Sequence, residues 1–249
     1  MDPLYITLLF AFTGGILPAL IWLFFWLSED EEHPEPASKI LLCFVFGMIS
    51  VFIAFGLEFL VEKYVLKHYP IDLIIENNFS CGVTALILIV FIEEFLKFGA
   101  AWLGGLRTKY NDEAVDVMVY IITAALGFAA MENSLFVLSE FAEAGTSGAI
   151  ILGNFRFVGS TLLHVTSSGL LGLFLAFSMF KKKLIRIESA IVGLILAIIL
   201  HAIYNLTIII YSEQIIKVFG IVWLFIIALI FIFEKVKAVH LNKIEFKTK

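Results

Sequence analysis

Charge is scarce in this chain. Of its 249 residues only 16% are Asp, Glu, Lys or Arg, while 61% are hydrophobic and the mean hydropathy is +1.01. No water-soluble domain needs that much apolar surface. Cysteine is nearly absent. Cys43 and Cys81 give neither a disulfide framework nor a thiolate metal pattern, and both read as small buried hydrophobes. Basic residues are too few for nucleic-acid binding. The opening MDPLYITLLF lacks a basic segment, so the first apolar run reads as a retained span and not as a cleaved signal. Short alternating segments are missing, which excludes a β-barrel. No internal repeat or low-complexity tract is visible.

Long apolar runs fill the chain instead. Most reach about 20 residues or more, the length that crosses roughly 30 Å of hydrocarbon as helix. The expected fold is an all-α polytopic transmembrane helical bundle, a single integral membrane domain over residues 1–249. About seven spans can be counted, at 4–27, 40–66, 80–104, 115–139, 157–180, 188–211 and 217–234, with room for an eighth. The second run carries Glu58, Glu62 and Lys63 near its end, which places them at the interface. The stretch 67–80 suits a short interfacial helix, and the Gly-rich segment 140–156, EFAEAGTSGAIILGNFR, reads as a plain outer loop.

Basic residues set the expected orientation. Arg107 and Lys109, then Lys181, Lys182, Lys183 and Arg186, then the tail lysines 235, 237, 243, 247 and 249 fall on one side of a seven-span chain. The positive-inside rule makes that side cytoplasmic. The expectation is a multi-pass cell-membrane protein with its N-terminus outside and its C-terminus inside. The acidic first connection, SEDEEHPEPAS, would also lie inside, and Pro34 and Pro36 mark it as a true loop.

Polar residues interrupt four of the spans. LILIVFIEEFLKFGAAWL carries Glu93, Glu94 and Lys97. A charge at the bilayer centre costs about 2.5–3.5 kcal/mol, so these three need polar partners or a wet cavity. Glu94 and Lys97 are close enough on a helix to pair, whereas Glu93 points about 100° away from Glu94. The next span holds Asp116, which suits a helix start, then Tyr120, Glu132 and Asn133. Its small residues Ala124, Ala125, Gly127, Ala129 and Ala130 would admit a neighbouring helix closely. Arg156, Ser160 and His164 share one helical stripe, with Thr161 and Ser167 nearby; His201 and Asn205 share another. At 1.5 Å per residue, Glu94 and His201 fall about 3 Å from their span centres, and Glu132 and His164 roughly 6–8 Å outward. All could meet in one cavity, as sites in helical bundles do.

Imidazoles and carboxylates together suit Zn2+. His164 and His201 with Glu132 or Glu94 would leave a fourth position for water. A second glutamate would then take the proton, and Asn205 would orient a ligand or an oxyanion. No HExxH is present, and a metal-free version has Glu94 as general base with histidine help. The same groups would also suit an ion-coupled transporter or channel, or could tie helices together in a non-enzymatic scaffold. The odd span count without a repeat stands against the transporter.

The motifs EEFLK at 93–97, GFAAMEN at 127–133, RFVGSTLLH at 156–164 and HAIYN at 201–205 resemble the PrsW family. These are intramembrane proteases related to the CAAX-processing enzymes of the Ras-converting type and to bacteriocin-processing endopeptidases. The resemblance places a catalytic core at about 80–212. It implies that Glu93, Glu94, Glu132, His164, His201 and Asn205 carry the chemistry, with Lys97, Asn133, Arg156 and Tyr120 in support. Glu94 is the expected base and Glu132 a ligand or supporting group. The implied activity is endopeptidase cleavage of a membrane-anchored protein, in bacterial members an anti-sigma factor. The sequence gives no oligomeric state.

Overall fold

The computed structural model describes residues 3–29, 34–66 and 79–247, and every regular element among them is helical. Helix α1 (Pro3–Ala11) and α2 (Leu17–Ser28) are joined by a π-helical turn, Phe12–Ile16. Helix α3 (Ala37–Val61) runs into a second π turn, Glu62–Leu66, and α4 (Phe79–Ala101) into a third, Trp102–Leu106. Helix α5 (Ala114–Phe155) passes through a fourth, Arg156–Ser160, into α6 (Thr161–Ser178). Helices α7 (Lys183–Ile210) and α8 (Ile215–Lys247) follow. Residues 67–78, which hold most of the expected interfacial helix, lie outside the described residues.

The expected count of seven spans, or eight, is corrected. Among the described residues five helices are long and apolar enough to cross a membrane: Thr7–Ser28, Ala37–Leu66, Ala114–Ser178, Lys183–Ile210 and Ser212–Lys237. The segments read as separate spans at 115–139 and 157–180 belong to the one helical stretch Ala114–Ser178. Helix α4, which bears Glu93, Glu94 and Lys97, is not among the five. The plain loop expected at 140–156 is helical as well. Helix extends to Gly145 from both sides, and that residue leaves helical geometry, with φ 70° and ψ −161°, so that two helices meet there at a kink. Glycine reaches that φ without steric cost. Beyond it the two arms lie side by side, so that Val137 of the first and Gly153 of the second both face Gly14.

The stretch Ala114–Ser178 is the core of the bundle. Its apolar centre is 94% buried, against 22–39% for the other four candidate spans, which therefore sheathe it. The small-residue run in α5 does what its composition suggests. A Cβ at Gly127 would fall 2.0 Å from the carbonyl oxygen of Phe44, and one at Gly47 would fall 2.1 Å from that of Ala124. Backbone thus meets backbone between α3 and α5, as only small residues permit. Asp116 occupies the helix-start position expected of it. Its Oδ2 accepts from the backbone N–H groups of Asp112 (2.9 Å) and Glu113 (2.6 Å), completing a capping box.

Candidate active site

Four helices deliver charge to one buried point. Helix α4 supplies Glu93, Glu94 and Lys97, α5 supplies Glu132, α6 supplies His164 and α7 supplies His201. The ammonium of Lys97 donates to Glu93 Oε2 (3.1 Å), Glu94 Oε1 (2.9 Å) and His164 Nδ1 (2.7 Å). It also lies 4.5 Å from the centre of the Phe128 ring. His201 Nδ1 stands 2.7 Å from Glu94 Oε1, and His164 Nε2 stands 3.0 Å from Glu132 Oε2. Arg156 clamps Glu132 at 2.5 Å and reaches Asn133 Oδ1 at 2.5 Å, while its guanidinium covers the Phe136 ring. Asn133 in turn donates to Thr161 Oγ1 (2.9 Å).

These contacts fix the protons. An ionised carboxylate only accepts and an ammonium only donates. His201 therefore carries its proton on Nδ1, toward Glu94, and His164 carries its proton on Nε2, toward Glu132. The remaining ring nitrogens, His201 Nε2 and His164 Nδ1, each lie 3.9 Å from Glu93 Oε2, and the second accepts from Lys97. One ligand atom from each of Glu93, His164 and His201 lies within 4.8 Å of the other two. The two rings meet edge-on, their centroids 5.2 Å apart.

The three carboxylates differ in freedom. Glu94 is 0% exposed and saturated, accepting also from Ser167 Oγ (3.0 Å) and Ser168 Oγ (2.7 Å). Glu93 is 5% exposed, Glu132 is 8% exposed, and the Oε1 of Glu93 takes no part in the hydrogen bonds of the cluster. Three carboxylates face two permanent cations, Lys97 and Arg156, so one negative charge is left uncompensated. Leaving a buried charge without its partner costs about 3–5 kcal/mol, which is why the groups form one network and not isolated pairs.

The expected residues fall into three sets. Glu93, Glu94, Lys97, Glu132, His164 and His201 share the network, with Asn133 and Arg156 at its edge. The sequence reading paired the histidines with Glu132 or Glu94 as third ligand, but the carboxylate near both remaining ring nitrogens is Glu93. Asn205, one turn beyond His201, is half-buried and makes none of the network's hydrogen bonds. Tyr120 stands apart. It lies twelve residues before Glu132 on α5, about 18 Å along the axis, and its hydroxyl donates to Glu35.

Two participants were not singled out from sequence. Ser168 holds Glu94, and Phe128 walls Lys97 and His164. Glu58, read as interfacial, is half-buried on α3 within electrostatic reach of Glu93, Glu132 and Lys97. The available signal for Ser168 was its place one turn beyond His164.

The chain is similar in sequence to known proteins. A family model described as PrsW family intramembrane metalloprotease matches residues 35–232. The Protease PrsW of Clostridioides difficile is 27% identical over 200 residues, covering 78% of this chain and 77% of that protein. The Protease PrsW of Bacillus subtilis is 23% identical over 195 residues, covering 78% of this chain and 80% of that protein. With the Protease PrsW of Geobacillus kaustophilus the identity is 25% over 139 residues, or 56% of this chain, which spans 57% of that relative's length. No solved structure matches the chain.

Proposed function

Because the chain belongs to the PrsW family of intramembrane metalloproteases, we propose that Glu93, His164 and His201 form a hydrolytic centre that cleaves a peptide bond of a membrane-anchored protein. One observation carries the reading. Two imidazole nitrogens and a carboxylate converge within 4.8 Å, and the far nitrogen of each imidazole is held by a further carboxylate. Carboxylate-backed histidines facing a third donor are the usual support for a divalent ion. The donor set fits Zn2+, with Glu93, His164 and His201 as the residues that would hold it. When bound, such an ion supplies Lewis acidity toward water and toward the scissile carbonyl.

The remaining roles belong to the protein. Glu94 fixes the tautomer and aim of His201, and Glu132 does the same for His164. Arg156 and Asn133 hold Glu132 in place. Glu93 Oε1, free of the network, takes a proton from the attacking water. The water oxygen bonds to the carbonyl carbon, and the C–N bond then breaks as the leaving amine takes that proton back. Asn205, half-buried one turn from His201, orients the substrate backbone in this proposal.

The substrate class follows from burial. A site enclosed among membrane helices is reached from the bilayer, so a membrane-anchored chain is its natural guest. We propose that the C-terminus lies in the cytoplasm and the N-terminus outside. Support comes from the end of the bundle where basic residues gather: Lys237 pairs with Glu29 at 2.7 Å, and Arg186 lines a cleft with Leu106, Asn111 and Val117. The test is cleavage of a single-span reporter in proteoliposomes. Wild type cuts it and Glu93→Gln does not. Equal cutting by both, or ion flux with no cutting, overturns the reading.

A further inference from the structure

Lys97 is the least expected group in the cluster, because its partners are the groups that would hold a metal. It lies on the same face of α4 as Glu93 and one turn away, with its ammonium fully buried. Its three N–H bonds are spent on three acceptors, Glu93 Oε2 at 3.1 Å, Glu94 Oε1 at 2.9 Å and His164 Nδ1 at 2.7 Å. Two of these acceptors belong to the proposed ligand triad. His164 Nδ1 has one lone pair, and it cannot serve an ammonium and a metal ion together. The other nitrogen of His164 is committed to Glu132, which Arg156 holds in place.

We propose that Lys97 is a built-in competitor of the metal: its ammonium and a divalent cation contend for Glu93 Oε2 and His164 Nδ1, and metal binding drives the ammonium back onto Glu94. This rests on the metal-centre reading above and adds to it the route by which the centre is loaded. The geometry allows the withdrawal. Glu94 is not in the triad, and it keeps its own bonds to His201, Ser167 and Ser168 whichever way the lysine turns. The Phe128 ring offers the ammonium a cation–π contact on the wall of the site. The lysine also serves a second end. A cluster with an uncompensated carboxylate and two inward lone pairs would repel itself in a low dielectric, and an internal cation holds it together while the chain folds.

The test uses the whole purified protein in detergent, with Co2+ as probe and its visible absorption as readout. Lys97→Met keeps the length of the stem and removes the competitor. The expected result is Co2+ binding about tenfold tighter or more than in wild type, since charge-assisted bonds no longer have to break first. Losing one positive charge would itself favour a cation, so a structure of the Co2+-loaded wild type is the second arm. It is expected to show Nζ beyond hydrogen-bond reach of His164 Nδ1 and still bonded to Glu94. Equal or weaker binding by Lys97→Met overturns the inference, and so does a loaded structure in which Lys97 still touches His164 Nδ1. If neither protein binds Co2+, the metal-centre reading fails and takes the inference with it. Should Lys97→Met not fold, the loaded wild-type structure decides alone.

Discussion

Replacing Glu94 by Gln separates a carboxylate that aims a ligand from one that reacts. Glu94 accepts from Lys97 (2.9 Å), His201 (2.7 Å), Ser167 (3.0 Å) and Ser168 (2.7 Å). Glutamine has the same shape. Its oxygen still faces the first three donors, and its amide can donate to Ser168, whose hydroxyl accepts equally well. What is lost is the charge. The bonds to Lys97 and His201 fall from charge-assisted to ordinary strength, about 1–2 kcal/mol each, or about 2–4 kcal/mol in all. At about 2–4 °C per kcal/mol for a chain of this size, Tm drops by roughly 5–15 °C. His201 is then aimed less firmly, which lowers metal affinity and cleavage by about 10–100-fold without abolishing either. Glu93→Gln does the opposite. Glu93 makes one hydrogen bond in the network, and Lys97 keeps Glu94, so stability changes less while cleavage falls to background. Proteoliposome cleavage of a single-span reporter, beside thermal unfolding in detergent, reads both effects. Inactive Glu94→Gln at unchanged Tm, together with active Glu93→Gln, would make Glu94 the base and refute the assignment of roles.

Two further outcomes are expected. Burial raises the pKa of Glu35 above the ordinary carboxylate value, against the hydroxyl of Tyr120 that donates to it, with Asp112, Glu113 and Asp116 as its acidic neighbours. The folded protein therefore holds a proton there that the unfolded chain has released. That stabilisation is complete below the unfolded pKa and is lost as pH rises through the folded one. Tm should fall across that window in wild type and stay flatter in Glu35→Gln; parallel profiles would sink the argument. A reporter fused to the C-terminus should be reachable by a membrane-impermeant reagent only after the cytoplasmic side is opened, and labelling of intact cells would reverse the orientation.

Much of the site was legible from residue chemistry. Glutamates, a lysine and histidines inside apolar runs must be paired, and the helix periodicity placed Glu94 beside Lys97 and Arg156 near His164. The glycine and alanine stripe announced the close approach of a neighbouring helix, which in the structure is α3. The division of labour between Glu93 and Glu94 was not legible. Adjacent residues on a helix point about 100° apart, and only the packing of α4 against α6 and α7 decides which faces both imidazoles and which is locked among serines. Tyr120 shares a helix with Glu132 but sits at its other end, where the partner is a loop residue, Glu35, with no local sequence relation to it. The span count failed at 140–156. Helix reaches Gly145 from both sides, and that single positive-φ glycine, where two helices meet, takes the place of the expected loop.

The proposed centre requires Glu93, His164 and His201 to share one ion. X-ray absorption at the zinc edge of the purified, active protein measures this directly. The predicted first shell holds two imidazole nitrogens and carboxylate oxygen, and loses a nitrogen in His201→Ala. A shell without imidazole, or one that His201→Ala leaves unchanged, contradicts it.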